Sequence, residues 1–240
     1  MKSTLFIILF SFNFLRVFSQ DPYSGQYEIR KTSKSPILDG VLETTFWPKN
    51  SFKDFVPKYC TPMLNQPTRA SLLMDDSFLY IAIQATNNLN EDFNGKPREF
   101  DDPKIFEDDV LEILFHNDGS VIYHHIVINF YGAVYDSFTR IERGEAELSW
   151  NSGLSCAISK TTGLLNQRTL ELKIPLQNLN INPKQPNFRF NISRSQQRIL
   201  KIKAPIDESN TKDKKRKKIA PKDLERIMIT ESSFFQIGEN

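Results

Sequence analysis

Apolar residues in this chain recur at every second position, and that period restricts it to β-structure. Leu79, Ile81, Ile83 and Ala85 alternate with Tyr80, Ala82 and Gln84, and Ile126, Ile128 and Phe130 with His125, Val127 and Asn129. The same pattern sets Leu170, Leu172 and Ile174 against Thr169, Glu171 and Lys173, and Phe188, Phe190 and Ile192 against Arg189, Asn191 and Ser193. Successive side chains of a strand point to opposite faces, so each segment has one face to bury and one that is largely polar. Stacked antiparallel sheets bury such faces against each other. The expected fold class is therefore all-β: an antiparallel β-sandwich of immunoglobulin-like or jelly-roll type with long loops. Turn-forming runs separate the strands at Asn117-Asp118-Gly119-Ser120, Thr161-Thr162-Gly163 and Asn182-Pro183-Lys184-Gln185-Pro186. Cys60 to Pro67 and Asn87 to Pro103 read as loops, and Pro175 to Leu179 as a single helical turn.

The N-terminus reads as an export leader. Lys2 is followed by an apolar stretch from Leu5 to Leu15, and Val17-Phe18-Ser19 resembles a cleavage site. Residues 1–19 are thus expected to be a signal peptide and 20–240 a single domain, exported to the periplasm or secreted. No later segment approaches the length of a transmembrane helix. Without Lys2 and Arg16, Lys+Arg equals the 29 Asp+Glu. A near-neutral chain is a poor partner for nucleic acid, whose binding rests on concentrated positive charge. One charged stretch stands out at 207–222, with Lys212-Asp213-Lys214-Lys215-Arg216-Lys217-Lys218. It is expected to be a solvated loop before closing strands at Arg226 to Thr230 and Phe234 to Ile237; the alternative is a polyanion-binding patch. Cys60 and Cys156 can pair in an oxidising compartment, but spacing does not fix that.

Catalytic motifs are missing: there is no Gly-x-Ser-x-Gly elbow, no His-Glu-x-x-His and no phosphate loop. The adjacent His124 and His125 fall on opposite strand faces and are expected to be lone surface residues. Glu112 shares a face with Val110 and Leu114, away from Leu111 and Ile113, where its carboxylate can accept from neighbouring hydroxyls.

Six short motifs occur in order: Leu38-Asp39-Gly40 with Trp47; Asp75-Asp76-x-x-Leu79-Tyr80-Ile81-Ala82; Phe106-Glu107-Asp108-Asp109-Val110-Leu111-Glu112-Ile113; Ile128-Asn129-x-x-Gly132; Leu170-Glu171-x-x-Ile174-Pro175; and Phe188-Arg189-Phe190-Asn191-Ile192-x-Arg194. From about Tyr27 to Arg194 the chain resembles the family 9 carbohydrate-binding modules. The resemblance implies a sugar-binding β-sandwich that recognises an oligo- or polysaccharide without catalysis of its own, alongside a separate glycoside hydrolase. A Trp and a Glu contact the sugar in that family, and the matching positions here are Phe106 and Glu112. Asn129 and Arg194 complete the expected ligand-binding set. The chain departs from the family where Val127 stands at an Arg position, and where a second stacking Trp has no clear counterpart. Trp47 matches a core position, and Trp150 is either core or a substitute platform. Family members also carry structural calcium, for which Asp101, Asp102, Asp108, Asp109 and Asp118 supply oxygen ligands.

Two other readings remain. The wider sandwich superfamily that these modules resemble includes haem-binding, DOMON-type electron-transfer domains. Met63, Met74, Met228, His116, His124 and His125 supply the axial atoms for that reading, with core packing the plainer account of Met74 and Met228. The third is an envelope adaptor domain that has lost sugar binding.

Overall fold

The computed structural model describes residues 27–57, 67–87, 92–161, 166–203 and 224–235. The expected leader, Cys60, Met63 and the basic segment lie outside these residues, as does most of the Thr161-Thr162-Gly163 turn.

Among the described residues the strands are Arg30–Lys31 (β1), Lys53–Pro57 (β2), Thr68–Met74 (β3), Phe78–Asn87 (β4), Val110–Asn117 (β5), Ile122–Asn129 (β6), Val134–Arg140 (β7), Ala146–Glu147 (β8), Ser155–Thr161 (β9), Asn166–Pro175 (β10), Phe188–Lys203 (β11) and Leu224–Phe235 (β12). They follow one another in the order β8-β7-β6-β5-β11-β12-β2-β3-β4-β10-β9. All these pairs are antiparallel, and only the short β1 runs parallel to its neighbour β3. β2 belongs to both halves, pairing with β12 through Pro57, Val56 and Phe55 and with β3 through Lys53 and Asp54.

The two halves face each other and share one core. From the β3/β4/β10 half come Leu72, Met74, Ile81, Ile83, Leu170 and Leu172; from the β5/β6/β11 half come Leu111, Ile113, Phe115, Ile126, Ile128 and Ile192. This is the all-β sandwich that the alternation predicts, with the predicted faces turned inward. The tight turn at Asp75 is closed by its own side chain, whose Oδ1 accepts from the backbone N–H groups of Ser77 and Phe78.

The outer faces are covered unequally. Over the β3/β4/β10 half lies the segment around Trp47, where a second buried cluster joins Trp47, Leu73, Tyr80 and Ala82. Glu171 pins it: one oxygen accepts from Trp47 Nε1 at 3.0 Å, and the other from the N–H of Gly40 at 3.0 Å and of Asp39 at 3.3 Å. Burial pushes the Glu171 carboxyl up, against these donors. Trp47, at 3% exposure, is a core residue. Gly40 has φ +81°, and a Cβ there would lie 2.9 Å from that of Ser159.

Two expectations need correction. His124 is not on the surface: it points inward, 3% exposed, with its ring centroid 4.5 Å from that of Trp150. Burial lowers its pKa and favours the neutral ring. The closing segment is one continuous strand, Leu224–Phe235, along β11, not two short ones.

Candidate functional site

The outer face of the β5/β6/β11 half is only partly covered. At one end, residues 93–109 fold over it. They include a single-turn 3-10 helix, Pro103–Glu107, whose first turn is capped by Asp102 accepting from the N–H of Lys104. Ile105 reaches down to Val110, Val127, Ala133 and Tyr135, forming a small apolar cluster on this outer face. Val127 is fully buried there, so the position where the resemblance expects Arg serves as packing.

This segment is tied down by polar contacts. Asn129 Nδ2 donates to the carbonyl of Lys96 and to Asp108 Oδ2, both at 2.8 Å, and its Oδ1 accepts from the N–H groups of Tyr131 and Ala133. Arg98 grips Asp108 with two bonds of 2.7 Å and reaches Asp102 at 3.3 Å. Burial alone raises the pKa of Asp108, but Arg98 and Asn129 outweigh it and hold the carboxyl below its ordinary value.

At the rim of this cover the ring of Phe106 stands 40% exposed. It packs edge-on against Tyr135 at 5.2 Å between centroids and lies 6.4 Å from the ring of His125. His125 Nε2 sits 3.2 Å from Glu112 Oε2, and Ser195 Oγ donates to Glu112 Oε1 at 2.9 Å. Contact with His125 lowers the carboxyl pKa, burial opposes it, and Ser195 assists. Glu112 is therefore an ionised acceptor, oriented by two neighbours, with its side chain still 27% exposed.

The structure thus sets Phe106 and Glu112 on one outer face, with His125 next to both, and separates them from Arg194. Arg194 stands opposite Leu111 on the inner face and is fully buried between the rings of Phe93 and Phe130, donating to Thr68 Oγ1 and the carbonyl of Thr86. Asn129 is also fully buried, and its amide is committed to backbone and Asp108. Neither can touch a ligand held at Glu112. His125, Tyr135 and Ser195 are the neighbours that sequence reasoning missed. Counting outward from the Asn117–Ser120 turn finds His125, because the register opposes Leu114 to His125 and sets that ring diagonal to Glu112.

The aspartates named for calcium do not converge. Asp101 Oδ1 accepts from the N–H of Asp136, Asp102 and Asp108 hold Arg98, Asp109 accepts from the N–H of Asn94, and Asp118 pairs with Arg189. Among the described residues no three His, Cys, Asp or Glu side chains gather as a metal cage. Arg98 is the cationic partner of Asp102 and Asp108. Of the atoms named for haem, Met74 is fully packed in the core and His124 lies against Trp150, leaving His125 and His116 on the other face. Trp150 itself packs on the core, and its Nε1 donates to the carbonyl of Asn178.

No family model matches the chain, and no curated protein matches it. Solved structures do. A putative carbohydrate-binding protein from Bacteroides uniformis superposes with a TM-score of 0.52 at 11% identity, over 70% of this chain and 82% of that one. A family 9 carbohydrate-binding module from Caldicellulosiruptor kristjanssonii in complex with glucose gives 0.44 at 15% identity, over 70% and 76%. The module from that organism in complex with cellotriose gives 0.46 at 14%, over 70% and 75%. At such identities the likeness is one of fold, and in fold this chain is similar to the β-sandwich of a carbohydrate-binding protein.

Proposed function

We propose that this is an exported, non-catalytic carbohydrate-binding protein, acting in the periplasm or outside the cell, that holds an oligo- or polysaccharide and leaves cleavage to a separate glycoside hydrolase. One observation carries the reading: an exposed aromatic ring, Phe106, and an oriented carboxylate, Glu112, flank His125 on the less covered face of the sandwich. A sugar ring has an apolar face that an aromatic side chain can cover. Its hydroxyls are donors, for which an ionised carboxylate is a charge-assisted acceptor. The fold likeness and the sequence motifs point the same way.

Phe106 gives less stacking area than a Trp and no N–H, so affinity is modest, because binding must first overcome desolvation of the polar groups. The test is a thermal-shift screen against soluble oligosaccharides, followed by Glu112→Ala. A ligand that binds only the folded state raises the melting temperature with dose. One sugar class is expected to do so, and Glu112→Ala is expected to abolish the rise while leaving the domain folded. A sugar that stabilises the variant as well as the parent would refute this site.

A further inference from the structure

The face that carries Glu112 continues past it. Two residues further along β5, about 7 Å on, Leu114 points the same way, opposite His125 on β6 and Asn191 on β11. A trough of about 330 Å³ opens here, walled by Leu114, Tyr123 and Asn191. His116 and Arg189, one register step further from Glu112, line its far end.

Most of the wall is carbon, yet two polar groups in it are unspent. The Tyr123 phenol and the Asn191 amide make no side-chain hydrogen bond to another described residue. An apolar concavity with a few uncommitted polar groups is the usual make-up of a ligand site. The far end, by contrast, carries a charge pair of opposite signs. His116 Nε2 lies 3.1 Å from the carbonyl of Ser120, and Arg189 Nε is paired with Asp118 at 3.0 Å. Asp118 balances the charge of Arg189, and the ionised Glu112 at the other end repels an acidic sugar.

We infer that the trough is a second subsite for the same ligand, and that the ligand is a neutral, extended glycan chain and not a single terminal sugar. One ring rests on Phe106 beside Glu112. The chain then runs along β5, past His125, and a further ring lies over Leu114 against Tyr123, with Asn191 hydrogen-bonding its hydroxyls. His125 borders both subsites, since it contacts Glu112 and faces Leu114 across the strand pair. This inference rests on the sugar-binding reading of the Phe106–Glu112 face.

The test is isothermal titration calorimetry with matched β-linked glucan, xylan and mannan oligosaccharides, from disaccharide to hexasaccharide. In the series that binds, the hexasaccharide is expected to be held about tenfold tighter than the disaccharide, the factor that ~1.4 kcal/mol supplies. Tyr123→Ala and Asn191→Ala should each flatten that gain while leaving disaccharide affinity unchanged. Tyr123→Phe, which keeps the ring and so guards against a folding artefact, should retain most of it. Disaccharide and hexasaccharide binding equally well to the parent would overturn the second subsite and leave the sugar reading standing. Equal weakening of both lengths by Tyr123→Ala and Asn191→Ala would also overturn it. Failure of every sugar at every length would remove the sugar reading, and the subsite with it.

Discussion

Arg98 and Asp108 form the most buried ion pair on the outer side of the β5/β6/β11 half, and Asp108→Ala is its sharpest test. Both side chains are 4% exposed and meet in a two-bond clasp at 2.7 Å. Asp108 also accepts from Asn129. Removing the carboxylate therefore leaves a buried guanidinium and a buried amide without their acceptor. Breaking a buried pair from one side costs about 3–5 kcal/mol. Arg98 keeps a longer contact to Asp102 at 3.3 Å and one to Glu107 at 3.8 Å, both on more exposed partners, which offsets part of the loss. A net cost of about 3 kcal/mol follows, equivalent to a melting temperature about 6–12 °C lower for a domain of this size. Scanning calorimetry reads this directly. The double variant Arg98→Met/Asp108→Ala should recover at least half of the loss, because the stranded charge is gone and the two changes are coupled. A drop below about 2 °C, or a double variant equal to the sum of its singles, would refute the argument that this clasp holds the 93–109 segment.

Two further changes probe other parts of the molecule. Gly40→Ala puts a Cβ 2.9 Å from Ser159 Cβ at a backbone φ of +81°, and should cost about 2 kcal/mol in urea titration. His124→Phe tests the buried imidazole. Its folded pKa is lowered, so its contribution is fully present above about pH 6.5 and is lost as pH falls below that value. The phenylalanine variant should lose less stability than the parent on acidification from pH 7 to 5, measured by thermal melts across that range.

The strands were legible because alternation is a property of single side chains. Leu111 and Ile113 against Glu112 told inside from outside without knowledge of any partner strand. Trp47 was legible as core, although it lies on an outer flap, buried against Leu73, Tyr80 and Ala82 and pinned by Glu171 from far along the chain. The clasp was not legible: Arg98 lies in a stretch that reads only as polar loop, and its role appears once folding brings Asp108 over it. Arg194 looked like a ligand residue by motif, yet its parity matches that of Ile192, which places it inside. β12 looked like two strands because Glu231, Ser232 and Ser233 interrupt the apolar pattern, but backbone pairing to β11 runs through Ser233 and Glu231 regardless.

The double membership of β2 has a consequence for how the chain reaches this state. β12 meets β2 across nearly the whole described length, and no local turn can bring them together. Closing such a loop costs chain entropy before the contact repays it, and folds dominated by distant pairings form slowly. Each half can begin as its own hairpins, β3 with β4 and β5 with β6. The seam between them cannot zip until the last described strand is free to join, so that strand sets the pace and a chain halted short of it would hold two unsealed edges.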